Sequence, residues 1–223
     1  MYSESQATET EAAEFRAKHG LAEAAPLVLV LPGSRRGEIS RMSPVFGAAL
    51  AQVAKDQPGM RMVLPAAQAV ADNVKEQVKS WPYQPIILDP REKTLADGLV
   101  EKRAAFRAAD VALATSGTVA LELAAANTPM VSAFDLHWLS RAIINRMVTT
   151  DTGSLINHVT DSRVVPEVIG KDFNVSNVSA ALNSLIEHPT GQLAAMHQTM
   201  DALGRGGEDP GLRAARAVMA GLS

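Results

Sequence analysis

A chain of 223 residues is long enough to bury a core, and with 47% apolar but only 4% aromatic residues that core must come from Ala, Val, Leu, Ile and Met. A formal charge of −3 with interspersed signs lacks the basic footprint of a nucleic-acid binder, so no nucleic-acid partner is expected. The absence of cysteine removes disulfides, thiol catalysis and cysteine-ligated metal sites, in keeping with a cytoplasmic setting. The start MYSESQATETEAAEF is acidic and polar, unlike a signal peptide, and no apolar run approaches the roughly 18 residues of a membrane span.

The first 25 residues read as a loose start and one helix near residues 11–19, and residues 26–223 as one further domain. Short apolar runs then alternate with helical patterns. Strands are expected at residues 27–31, 60–64, 85–88, 111–114 and 130–133, with a weaker sixth at 154–157. Apart from Arg61 they lack in–out alternation, as parallel strands covered on both faces do. Helices are expected at 44–55, 68–79, 96–108, 118–126 and 138–148, the first with Ser43 as N-cap and Pro44 in its first turn. Beyond residue 170 the pattern is helical, at 174–187, 192–203 and 212–222, with a loop at 204–210. This rhythm predicts an α/β fold with a doubly wound, mostly parallel, Rossmann-like sheet.

Ligands of such sheets gather at the carboxyl ends of the strands, where three loops carry suitable chemistry. After the first strand comes PGSRRGE. Gly33 permits close backbone approach, Ser34 offers a hydroxyl and Arg35 forks onto phosphate oxygens. A surface turn with solvated arginines is the plain alternative. The second loop lies in LATSGTVALE, residues 113–122, where Thr115, Ser116, Gly117 and Thr118 lead into a helix whose positive end attracts anions. Helix capping alone would explain those hydroxyls. It would not explain Glu122, a carboxylate flanked by Val119, Ala120, Leu121, Leu123 and Ala124, which is costly to bury without partners. Ribose hydroxyls would satisfy it, and so would a salt bridge. Together the two features suit a nucleoside diphosphate. The third loop, around Asn157, His158 and Arg163, offers an amide that reads sugar hydroxyls but is by itself an ordinary loop asparagine.

There is no Walker A sequence, helix-opening GxGxxG, GxSxG elbow or Asp-x-Asp pair, and His19, His137, His158, His188 and His197 lack ligand spacing. The expectation is a site without metal or cofactor, in which arginine and a helix start neutralise the phosphates.

LPGSRRGEISRMSPVF at 31–46, AADVALATSGTVALELAAANTPMV at 108–131, RAIINRMV ending at Val148 and VVPE at 164–167 occur in the order seen in lipid-A-disaccharide synthases. Over about residues 15–220 the chain resembles the carboxyl-terminal half of that family. The resemblance implies a glycosyltransferase-B architecture, of which this is the donor domain. It also implies transfer of 2,3-diacylglucosamine from its UDP derivative to 2,3-diacylglucosamine 1-phosphate (lipid X) with inversion, as a step of lipid A biosynthesis. By motif position Gly33, Ser34 and Arg35 meet the diphosphate, Ser116, Gly117 and Thr118 cradle it, Glu122 holds the ribose, and Arg35 doubles as the catalytic group on the departing diphosphate. Asn157 takes the place of the asparagine in the family's PNL segment, although Ile156 replaces its proline and Gly170 the usual glutamine of VPExLQ. The amino-terminal acceptor half, with the general base, lies outside this sequence, so the chain alone is expected to be inactive. Donor domains of UDP-N-acetylglucosamine epimerases and muramyl-peptide transferases share such features, and a non-catalytic UDP-binding fragment is a further alternative. Trp138, Leu139, Ile143, Met147 and Val148 share a predicted helix with Arg141 and Arg146. That stripe reads as core packing or, given lipid substrates, as peripheral attachment to the inner membrane.

Overall fold

The computed structural model describes residues 6–115, 117–135, 152–207 and 210–221. In chain order the elements are α1 (Glu9–Lys18), β1 (Leu27–Leu31), α2 (Arg36–Asp56), β2 (Arg61–Pro65), α3 (Ala71–Val78), β3 (Ile86–Leu88), α4 (Leu95–Ala108), β4 (Val111–Ala114), α5 (Val119–Ala125), β5 (Met130–Phe134), α6 (Leu155–Val159), β6 (Glu167–Ile169), α7 (Val175–Glu187), α8 (Leu193–Ala202) and α9 (Pro210–Gly221). The strands form one parallel six-stranded sheet in the order β3-β2-β1-β4-β5-β6.

The unbroken apolar runs of the central strands follow from burial on both faces. Leu27 and Leu29 of β1 point into one core half, with residues of α1, α4, α5, α6 and α8, whereas Val28 and Val30 point into the other, with α2, α3 and α7. All four are fully buried. Strand order reverses between β1 and β4, and the helices that follow these neighbours leave on opposite faces. Ile39, Met42 and Phe46 of α2 pack with Val28, while Ala120, Leu123 and Ala124 of α5 pack with Leu27. Helices that diverge from adjacent strand ends open a crevice at the carboxyl edge of the sheet.

Two sequence expectations need correction, and a third is untested. Residues 154–157 are no strand: Ser154 caps α6, its side chain accepting from the Asn157 N–H, and the sixth strand is Glu167–Ile169. α2 begins at Arg36, before residue 44, so Ser43 is no N-cap but a buried residue within the helix, and Pro44 lies inside it. Proline there forfeits the bond to the carbonyl of Ser40. Ser40 and Arg41 are exposed, so water reaches that turn. The expected helix at 138–148, with its Trp138 to Val148 stripe, lies outside the described residues.

At the opposite edge of the sheet Arg16, 14% exposed, ties α1 to the domain. Its guanidinium donates to the carbonyls of Ala22, Ala25 and Ala108 and to the Asp110 carboxylate at 2.7 Å, which also accepts from the Leu27 N–H. Gln192, buried, pairs its amide with both the N–H and the carbonyl of Met130, each at 2.9 Å, and so completes the start of β5 as a neighbouring strand would. No helix among the described residues is long and apolar enough to cross a membrane.

Candidate functional site

Leu31 and Ala114 are register partners at the ends of β1 and β4, and the Thr115 N–H donates to the Leu31 carbonyl at 3.0 Å. Adjacent strands run about 4.8 Å apart. The Gly33–Ser34–Arg35 loop and the Gly117–Thr118 loop therefore leave from neighbouring points, although they lie 84 residues apart in sequence (117 minus 33). Ser116 lies outside the described residues.

In the first loop Gly33 has a φ of +119°, a conformation that side-chain-bearing residues rarely adopt. Ser34 and Arg35 are exposed at the head of α2, and the Arg35 guanidinium meets Glu38 at 2.7 Å. Glu38 accepts from both backbone amides of the loop as well. Burial pushes its carboxyl up, but the Arg35 guanidinium and the Ser34 and Arg35 amides outweigh this and hold it below the ordinary carboxylate range.

In the second loop Gly117 has a φ of +138°, and both Gly117 and Thr118 are exposed. The first backbone bonds of the helix run from Ala120 to Gly117 and from Leu121 to Thr118. The amides of Gly117, Thr118 and Val119 have no acceptor among the described residues. Beside this loop lies a cavity of about 220 Å3, bounded by Thr115, Gly117, Thr118, Ser132 and Ser154.

Glu122 behaves differently from its sequence reading. Its side chain is 31% exposed rather than buried, and its carboxylate pairs with Lys102 of α4 at 2.5 Å. Glu122 sits one turn along α5 and faces α4, outside the cavity lining. The apolar neighbours in sequence point into the sheet and leave this face to the solvent edge. Lys102 is a residue that sequence reasoning missed, because a lysine mid-helix carries no motif.

Asn157 is the clearest departure. It is fully buried, and its amide is committed internally: Nδ2 donates to the Val165 carbonyl at 2.9 Å and to Glu167 at 3.3 Å, and Oδ1 accepts from the Val165 N–H at 2.9 Å. Both N–H donors are thus taken and Oδ1 already accepts once, so the amide has no donor left for a ligand. Asn157 closes the loop between α6 and β6. Glu167, the last residue of VVPE, joins the same network by accepting from the Thr152 hydroxyl and the Gly153 N–H. The structure thus brings Gly33, Ser34 and Arg35 together with Gly117 and Thr118, sets Glu122 against α4, and makes Asn157 a strut. No group of three or more metal-ligating side chains occurs among the described residues.

The family described as lipid-A-disaccharide synthetase matches residues 2–209. The lipid-A-disaccharide synthase of Ruegeria pomeroyi is 52% identical over 216 residues, covering 97% of this chain and 54% of that protein. The chain spans about half the length of the curated relatives it matches, and corresponds to their carboxyl-terminal half. Among solved structures, Anabaena HepE in complex with UDP and glucose aligns over 88% of this chain and 48% of its own, with a TM-score of 0.55 and 14% identity. Escherichia coli ADP-heptose LPS heptosyltransferase II aligns over 82% and 53%, with a TM-score of 0.57 and 15% identity. Those two share the fold, a Rossmann-like domain of glycosyltransferase-B type. With a family match across nearly its whole length and a relative more than half identical, the chain belongs to the lipid-A-disaccharide synthase family.

Proposed function

We propose that this chain is the donor half of a lipid-A-disaccharide synthase. It binds a UDP-linked 2,3-diacylglucosamine whose sugar passes, with inversion, to 2,3-diacylglucosamine 1-phosphate. One observation carries the reading: in a chain of this family, two phosphate-suited loops, Gly33–Arg35 and Gly117–Thr118, leave adjacent strand ends at the point where strand order reverses. Three amides with no acceptor among the described residues and a guanidinium supply positive potential there. Arg35 and the head of α5 stabilise the charge that builds on the departing diphosphate, the kind of fixed electrostatic aid that lowers such barriers most. Ser116 belongs to the same cradle by motif position.

Glu122 holds the ribose in this reading, which requires its carboxylate to exchange or share Lys102 for the 2′- and 3′-hydroxyls. Asn157 shapes the sugar side of the pocket through the α6–β6 loop and makes no direct contact. A cavity of about 220 Å3 falls below the ~300–1,000 Å3 of complete ligand sites, and it suits one wall of a cleft that an amino-terminal acceptor half closes. That half carries the general base and completes the enzyme, so the isolated chain binds donor without turnover. Its lipid substrates place the assembled enzyme at the cytoplasmic face of the inner membrane as a peripheral protein.

Calorimetric titration of UDP into the chain tests the donor site, with Arg35→Ala and Glu122→Ala each expected to weaken binding about tenfold. Millimolar UDP producing neither heat nor a shift in melting temperature would contradict it. With the acceptor half supplied, the product separates the family reaction from epimerase chemistry: a disaccharide is expected, not an isomerised nucleotide sugar.

A further inference from the structure

The donors of the first loop are already engaged by a single carboxylate. Glu38 Oε2 accepts from the N–H of Ser34 at 3.1 Å and of Arg35 at 3.3 Å, while Oε1 accepts from Arg35 Nη1 at 2.7 Å. Gly33 admits it: a Cβ on that residue would stand 2.7 Å from Glu38 Cβ and 2.8 Å from Oε2. The Arg35 side chain is 81% exposed and has no other hydrogen-bond partner among the described residues, whereas Glu38 is 33% exposed and covered by the loop. A guanidinium has five N–H donors, and one of them goes to Glu38. The backbone amides of Ser34 and Arg35 are therefore not free for phosphate, but most of the Arg35 fork is.

Resting on the donor-site reading above, we propose that Glu38 is a positioning residue for Arg35: it anchors the guanidinium and the loop from beneath so that the remaining N–H groups meet the diphosphate. An exposed arginine without that anchor samples many rotamers, and a ligand must then order it at a cost in affinity. Two opposite effects follow from the same carboxylate. Removing it relieves repulsion with the phosphates, which would tighten binding, and frees the arginine to wander, which weakens it. The charge-assisted contact and the glycine shaped around it favour the second.

The test is calorimetric titration of UDP and of uridine into the 223-residue chain and its Glu38→Ala, Glu38→Gln, Arg35→Ala and Arg35→Ala/Glu38→Ala variants. Glu38→Ala is expected to weaken UDP binding about fivefold, to leave uridine binding unchanged and to have no further effect once Arg35 is gone. Glu38→Gln keeps the shape and one accepting oxygen but loses the ion pair, so it weakens UDP by a smaller factor and remains informative if the alanine variant fails to fold. Tighter UDP binding in Glu38→Gln would overturn the proposal by showing a carboxylate that competes with phosphate. Equal weakening of uridine and UDP, or an undiminished loss in the Arg35→Ala background, would overturn it as well by showing a collapsed loop. Wild-type chain that ignores UDP would sink the donor-site reading and this inference with it, a result distinct from the variant patterns.

Discussion

Replacing Asn157 with alanine separates a ligand contact from a strut. The side chain is fully buried and makes three hydrogen bonds, two of them to the backbone of Val165, itself only 2% exposed. Truncation leaves the Val165 N–H and carbonyl unpaired in the interior, at about 1–3 kcal/mol each, less whatever a water entering the vacated space recovers. A net loss of about 3 kcal/mol follows. For a chain of this length each kcal/mol moves the midpoint by about 2–4 °C, so Asn157→Ala should melt about 6–12 °C lower. Asn157→Asp should be worse near neutrality, because it removes the donor to Val165 and sets a second carboxylate beside Glu167. The assay is thermal unfolding followed by circular dichroism, with UDP titration below the transition. The folded variant should bind UDP as the wild type does. A melting temperature within about 2 °C of wild type, together with a tenfold loss of UDP affinity, would refute this and make Asn157 a ligand contact.

Gly33→Ala should weaken UDP binding and cost about 1–3 kcal/mol in denaturant unfolding, because its φ of +119° is strained for alanine and the new Cβ meets Glu38. Arg16→Ala should lower stability by about 2 kcal/mol without touching UDP affinity, since its guanidinium bonds lie at the edge of the sheet away from the site. Asp89, 2% exposed, is held well below the ordinary carboxylate range by the Arg91 guanidinium, against the upward push of burial and with help from Lys75 and the Arg91 amide. A depressed carboxyl stabilises the fold fully above its unfolded value near pH 4, and that stability fades as pH falls through the lower folded value. The gap in melting temperature between wild type and Asp89→Asn should therefore be widest at neutral pH and narrow below pH 4; a gap that grows in acid would contradict the assignment.

The strands were legible where burial on both faces leaves an unbroken apolar run, as at Leu27–Leu31 and Val111–Ala114, whose bounds match the sequence reading. β6 was not, because three residues opening on Glu167 carry too short a pattern to stand out. Residues 154–157 misled because an apolar pair between polar residues suits an edge strand as well as a capped turn of helix, and the Ser154 cap decides it. Pro44 pulled the predicted start of α2 toward itself, since proline favours first turns, yet the side chains of Ile39, Met42 and Phe46 bury a stripe that continues through it.

At the candidate site the glycines, hydroxyls and Arg35 could be read from loop chemistry at strand ends. Their side-chain partners could not. Whether Glu122 meets Lys102 or a ligand depends on how α4 lies against α5, and whether Asn157 faces a pocket depends on the path of residues 160–165. Neither is encoded in local spacing. Glu38 stood in the sequence only as the end of the PGSRRGE loop, because the helix was expected from residue 44; its place in the first turn of α2 and its grip on Arg35 both needed coordinates.

The most direct measurement is an amide chemical-shift titration of the isotopically labelled chain with UDP. The donor-site account predicts the largest changes at Gly33, Ser34, Arg35, Gly117, Thr118 and Val119, saturating together. Changes gathered instead around Val164, Leu185 and Gln192, at the cavity of about 220 Å3 on the opposite edge of the sheet, would contradict it, as would a spectrum that UDP leaves untouched.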